Sequence, residues 1–539
     1  MKKLIYPLFI MAILVSCKQE QVDLIILNAN VYTVNSEFGK AEAFAVKDGK
    51  FVAVGTSSMI NSKYLANETI DAKGQTLVPG LIDAHCHFYR FGLQQQKVSL
   101  EGTKSYDEVL QKLADFQDEK NPTYITGRGW DQNDWEVKEF PTKEKLNKLF
   151  PRIPVAIRRV DGHALLVNDA ALAYSGLTSS TFPKNVTGGE FITKNGKLTG
   201  VLIDRAMDYI KTPNTTYSES VNGLLDAQRI NFSYGLTTVD DAGLNRNEIE
   251  LMDSLHATGD LKIRIYAMVS ASQNNLDYYI KKGITKTDRL NVRSFKVYGD
   301  GALGSRGAAM KQSYNDRDNH YGALIYAPER YQEIAKQIAA SDYQMNTHAI
   351  GDSANYWTLK VYKDALKDSK DRRWRNEHSQ IIDENDFELF KNVIPSIQPT
   401  HATSDMYWAG DRIGAKRSKG AYAYKKLLDI YGMVALGTDY PVEQVNPFLT
   451  FYAAVVRKDI KGYPANGYQM ENALSREETL KGMTIWAAYA NFEENEKGSI
   501  EVGKFADFVI LNQNIMTIDG SKIPETKAVT TYINGEKVY

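Results

Sequence analysis

Leu81-Ile82-Asp83-Ala84-His85-Cys86-His87 is the stretch on which the reading of this 539-residue chain turns. It opens apolar and closes on two histidines that flank a cysteine. Successive side chains of a strand alternate between faces. His85 and His87 therefore project the same way, about 7 Å apart, while Cys86 points to the other face. Two imidazoles on one strand face can converge on a cation, and imidazole suits zinc. A His-x-His is a weak signal by itself. Its place at the end of an apolar strand gives it weight, because barrel enzymes build their sites at the C-terminal ends of strands.

Apolar, often β-branched runs of the same kind recur at Leu236–Asp240, Ile263–Val269, Ser294–Tyr298, Gln344–His348, Asn376–His378, Ile394–Gln398 and Val434–Asp439. Helical patterns such as Pro328–Ala340 and Leu480–Ala490 lie between and after them. Strands alternating with helices argue a parallel sheet, and eight such units predict an α/β fold of the (β/α)8 TIM-barrel type over residues 81–495. The stretch of about 90–230 is too long for one crossover. It predicts an inserted subdomain with its own strands at Tyr124–Gly127 and Val155–Val160. Short strand patterns fill 23–80, with Asp48-Gly49 between two apolar runs as a hairpin signal, and the same style returns at 496–539. Neither end is long enough to bury a good core alone, so the two are predicted to form one composite β-sandwich.

Hydrophobic residues make up 43% and charged residues 24% of the chain, ordinary values that exclude a disordered, collagenous or polytopic membrane protein. Lys+Arg 65 against Asp+Glu 66 leaves a net charge of −1, so no global electrostatic case exists for nucleic acid. Two cysteines cannot make a disulfide framework. Lys2 and Lys3 precede an apolar stretch, Leu4–Val15, too short to span a bilayer, and it stops at Ser16-Cys17. Leu14-Val15-Ser16-Cys17 resembles a bacterial lipobox. Residues 1–17 are therefore expected to be a lipoprotein signal peptide and 18–22 a linker. Membrane contact would come only through a lipid on Cys17, and the enzyme would be tethered in the cell envelope on a side left open. A plain cleaved signal with unmodified Cys17 is the alternative. Oligomeric state is not readable.

Ligand-type residues close other predicted strands: Lys296, His348, His378 and Asp439. With His85 and His87, this set takes four of the chain's eight histidines. His256 and His320 match no ligand position.

These residues carry a resemblance. Pro79-Gly80-Leu81-Ile82-Asp83-Ala84-His85-Cys86-His87, Asp161-Gly162-His163, Lys296 followed by Asp300-Gly301-Ala302-Leu303-Gly304-Ser305-Arg306, His348, His378, Gly437-Thr438-Asp439 and the tail Gly498–Asp507 together resemble the amidohydrolase superfamily. The likeness is closest to its YtcJ-like branch, which includes N-substituted formamide deformylases, and it covers nearly the whole chain. It implies a metal-bearing barrel with a small β-sandwich. His85 and His87 would hold one metal, His348 and His378 a second, and Asp439 would contact the first. Lys296 would bridge them as a carboxylated lysine. A free ammonium has three donors and no acceptor and cannot ligate a cation, whereas its carbamate can. If Lys296 is unmodified, the site should hold one metal.

The reaction implied is hydrolysis of an amide or N-substituted formamide C–N bond in a small-molecule substrate. Zinc, two ions in the full form, would supply hydroxide near neutral pH. Asp439 would take the water proton and pass it to the leaving amine. His163 reads either as an electrophile toward the intermediate or as a structural histidine. Gln398 and His401 would line the pocket. Arg306, in a Gly-rich loop without the Lys-Ser/Thr ending of a phosphate loop, is a candidate substrate anchor. Trp130 reads as an apolar wall or as core. A deaminase or cyclic-amide hydrolase of the same superfamily is one alternative, and a non-catalytic ligand-binding lipoprotein is another.

Overall fold

The computed structural model describes residues 19–178, 180–186, 189–367 and 371–539, so the Cys17 expectation lies outside the described residues. The eight runs form strands β1 (Leu81–Cys86), β2 (Leu236–Leu244), β3 (Arg264–Ser270), β4 (Leu290–Tyr298), β5 (Gln344–Ala349), β6 (Arg375–His378), β7 (Ile394–Ile397) and β8 (Ala435–Leu436). They pair in sequence order, every neighbour parallel. Beyond the strand ends the ring is drawn shut by two backbone hydrogen bonds: Asp439 N donates to His85 O at 2.8 Å and His87 N donates to Tyr440 O at 2.9 Å. This is the (β/α)8 barrel. All nine residues of β2 are buried, as expected of a parallel strand covered on both faces. Barrel interiors usually fill with branched apolar side chains. Here Asp240, Lys296, Asn346, Arg375 and Glu377 are buried as well.

Two expectations are adjusted. The run Val434–Asp439 keeps only Ala435–Leu436 as strand, because the backbone turns at Asp439, whose φ is +64°, to reach His85 O. The helix expected over Leu480–Ala490 is two helices, Arg476–Gly482 and Ile485–Ala490. The break at Thr484 (φ −142°, ψ −97°) leaves the Met483 carbonyl turned out to accept from Ile82 N at 2.8 Å.

Contacts divide the chain into two units, one running to His87 and resuming at Arg229–Tyr539, the other Phe88–Gln228. Within the first, both chain ends build a pair of sheets. One is four-stranded, in the order Lys50–Gly55, Ala43–Lys47, Glu20–Leu27, Tyr64–Asp71. The other joins Phe508–Leu511 and Ala528–Ile533 from the C-terminus to Thr76–Pro79 and Asn30–Tyr32. Phe508 fastens them, edge-on to Phe44 at 4.9 Å and stacked on Tyr532 at 4.3 Å. The Asp48-Gly49 turn has both residues at positive φ (50° and 75°), as a two-residue hairpin loop requires.

The second unit holds a six-stranded sheet with Ala164–Val167 and Val155–Arg159 at its middle; Ile125–Trp130, beside Val155–Arg159, packs against helix Tyr106–Lys120. Trp130 is fully buried in this unit's own core with Val109, Leu146 and Ile157, and its indole N–H donates to Ile157 O. Packing, not a pocket wall, is its place. No helix among the described residues is long and apolar enough to cross a membrane.

Candidate metal centre

The C-terminal ends of β1, β4, β5 and β6 and the turn after β8 bring imidazoles, a lysine and a carboxylate together. Ring centroids of His85 and His378 are 4.8 Å apart, those of His348 and His378 4.5 Å, and those of His85 and His87 5.8 Å. The parallel register sets this: Tyr298 lies beside His348, and Ala349 beside His378.

Three imidazoles have Nδ1 tied back. His85 Nδ1 donates to Glu377 Oε2 at 2.5 Å, His87 Nδ1 to Ala242 O at 2.9 Å, and His378 Nδ1 to Gln398 Oε1 at 2.7 Å. With Nδ1 donating, a neutral imidazole keeps its lone pair on Nε2, the form in which histidine binds metal. Burial, followed by the charge of Lys296, lowers His85 to about 4 and His348 to about 3. Burial also takes His378 well below its ordinary value. These rings are neutral at pH 7.

Asp439 Oδ1 lies 3.3 Å from His87 Nε2 and 3.8 Å from His85 Nε2, is buried, and accepts no aligned hydrogen bond. Burial works against its carboxylate, yet His401 and His87 hold it well below the usual range. Two imidazole nitrogens and an ionised carboxylate oxygen facing one another at 3.3 and 3.8 Å are a donor set for a divalent cation. His85, His87 and Asp439 form such a group, with all ligand atoms within 4.8 Å.

His378, His401 and Asp439 satisfy the same distance. His401, however, has both nitrogens on carboxylates, Nδ1 on Glu443 Oε1 at 3.1 Å and Nε2 on Asp439 Oδ2 at 3.2 Å. Burial lowers its pKa, but these two bonds outweigh it and raise the ring to about 10. An imidazolium has no lone pair for a metal. His401 thus bridges Asp439 and Glu443, and Gln398 supports His378. Lys296 is buried with Nζ 3.0 Å from His85 Nε2. His348 turns Nε2 to within 3.5 Å of Gly301 O and 3.6 Å of Asp300.

Two expected residues are engaged elsewhere. Both nitrogens of the Arg306 fork pair with Asp316, at 3.0 and 2.8 Å. His163 belongs to the second unit, where it is exposed and bonded to Asp204 at 2.7 Å. Sequence reading missed Glu377, Glu443 and Asp300. The first had a signal, since Arg375-Asn376-Glu377 puts two charges inside a buried strand.

Gly437 guards the approach of β8 to β1. A Cβ there would stand 2.5 Å from His85 N and 2.8 Å from His85 O. Gly437→Ala must therefore push the ligand strand away, and overpacking of this kind costs about 1–3 kcal/mol. The expected outcome is a lower melting temperature together with reduced metal content, measured by thermal unfolding and plasma mass spectrometry. Wild-type values for both would contradict the tight packing.

Residues 68–539 match the amidohydrolase family Amidohydro_3. The putative amidohydrolase YtcJ of Bacillus subtilis (strain 168) is 29% identical, over 94% of this chain and 98% of that protein. An N-substituted formamide deformylase of Arthrobacter pascens is 24% identical, over 95% and 97%. Among solved structures, an uncharacterized metal-dependent hydrolase of Pyrococcus horikoshii OT3 superposes with a TM-score of 0.75 at 26% identity, covering 92% of this chain and 99% of that one. With this fold and this cluster of buried imidazoles around Asp439, the chain belongs to the amidohydrolase family, in its YtcJ-like branch, and is a metal-dependent hydrolase.

Proposed function

We propose that the protein hydrolyses a C–N bond, of an amide or an N-substituted formamide, with zinc as its metal and two ions in the full form. The observation that carries this is Asp439 Oδ1, buried and without an aligned hydrogen bond between the Nε2 atoms of His85 and His87. The deformylase relative supports the bond type. His85, His87 and Asp439 would hold the first ion. His378 would anchor the second, with His348 and with Lys296 as its carbamate, whose amine lies against His85. When bound, the metal acidifies a coordinated water and polarises a carbonyl. Asp439 would take the water's proton and return it to the leaving nitrogen. His401 donates to Asp439 Oδ2, which orients the carboxylate and leaves Oδ1 toward the metal.

The test uses the purified full chain, prepared with bicarbonate, and measures zinc per chain and release of amine from N-formyl and N-acyl amines. About two zinc ions are expected, with turnover lost on chelation and restored by added zinc. One ion per chain would demote Lys296 from ligand. No metal uptake, or turnover indifferent to chelation, would overturn the metal reading. Ammonia released from an exocyclic amine, with no turnover of amides, would favour the deaminase alternative.

A further inference from the structure

Behind His85 runs a line of buried charge that the reaction above does not use. Glu377 Oε2 accepts from His85 Nδ1 at 2.5 Å, and both side chains are fully buried. Arg375 Nε lies 2.8 Å from the other oxygen, Glu377 Oε1, paired by charge though not aligned for a hydrogen bond. Arg375 Nη1 donates to Asp240 Oδ2 at 2.8 Å, and Asn491 donates to Asp240 Oδ1 at 2.6 Å. Arg375 Nη2 also donates to the carbonyl of Ala84, the residue before His85. The line therefore begins on one residue of β1 and returns to its neighbour.

The geometry points to Glu377 as the positioning residue that makes His85 a metal ligand, with Arg375 and Asp240 holding Glu377 in place. This rests on the metal reading above. An ionised carboxylate accepts and cannot donate, so it bonds only the His85 tautomer with its proton on Nδ1. In that tautomer the Nε2 lone pair faces the Asp439 cluster. The other supported rings lean on neutral acceptors, Ala242 O for His87 and Gln398 Oε1 for His378. His85 alone of these three has a charged one, which also makes Nε2 a stronger donor of electrons to a cation. A buried carboxylate without a counter-charge would be costly, and Arg375 supplies that charge. Hydrogen bonds to Ala84, Asp240 and Ser396 leave Arg375 little freedom to move away.

The experiment is zinc titration of metal-free wild type and Glu377→Gln, in competition with a chromophoric chelator, with circular dichroism and melting of the metal-free forms alongside. Glu377→Gln is expected to fold and to bind zinc about 10- to 100-fold more weakly, the usual cost of losing a partner behind a ligating histidine. A Glu377 of merely structural role would lower the melting temperature and leave zinc affinity unchanged, and that result would overturn the proposal. If Glu377→Gln does not fold, the neutral triple variant Asp240→Asn, Arg375→Met, Glu377→Gln removes all three charges together. It should show the same weakening, and wild-type affinity in it overturns the proposal equally. A wild type that takes up no zinc fails the metal reading itself, and this inference with it.

Discussion

Asp439→Asn is expected to lower kcat/KM for an N-formyl or N-acyl amine by about 10²- to 10⁴-fold, the range for loss of a positioned general acid–base group. The carboxylate does two things at once. Oδ1 faces the Nε2 atoms of His85 and His87 with no aligned donor, and Oδ2 accepts from His401 at 3.2 Å. An amide offers one oxygen and an NH2 group. If the oxygen goes to His401, the NH2 points at the metal position. If it goes to the metal, the NH2 meets the His401 proton. Either way one half of the site is lost. Steady-state kinetics and zinc content on the same sample check this, with circular dichroism to show that the variant is folded. Turnover within tenfold of wild type would sink the role assigned to Asp439.

Asp507→Ala is expected to be the most damaging single change to stability away from the metal. Asp507 takes a two-pronged bond from Arg264, Nε to Oδ2 at 2.6 Å and Nη2 to Oδ1 at 2.9 Å, and both side chains are almost wholly buried. The pair joins β3 of the barrel to the start of the C-terminal sandwich strand, and Asp507 Oδ1 also accepts from Asn534 N. Removing one partner of a buried pair leaves the other charge uncompensated, at a cost of roughly 3–5 kcal/mol. Phe505, beneath the guanidinium at 4.0 Å, and Asn534 would keep only part of its interactions. Thermal unfolding should begin several degrees lower, with Asp507→Asn intermediate because it retains one acceptor. An unchanged melting temperature in Asp507→Ala would show that the barrel and sandwich do not depend on this pair.

The barrel was legible because its signals are local. An apolar run such as Leu81–Cys86 or Ile394–Ile397 declares a strand through its own side chains, and a parallel barrel pairs its strands in chain order. His85, His87, His348 and His378 were likewise readable, since a residue at a strand's C-terminal end is at the mouth whatever lies opposite. The helix over 480–490 was misjudged for the converse reason. Its periodicity is continuous, and the interruption at Thr484 serves Ile82, far away in sequence.

What lies behind each imidazole was not legible. Glu377 and His85 are 292 positions apart, and no local pattern links a carboxylate in one strand to a ring in another. The same holds for His401, whose two nitrogens meet Glu443 and Asp439, 42 and 38 positions on, and for Trp130, whose core is formed by strands and helices of its own unit. Sequence alone determined the barrel, its sandwich and the residues at the barrel mouth, because strand periodicity and strand ends are properties of contiguous chain. Tertiary structure alone decided what stands behind each imidazole and which charges offset one another. Hydrogen bonds and desolvation act through a few ångströms of space, whatever the separation along the chain.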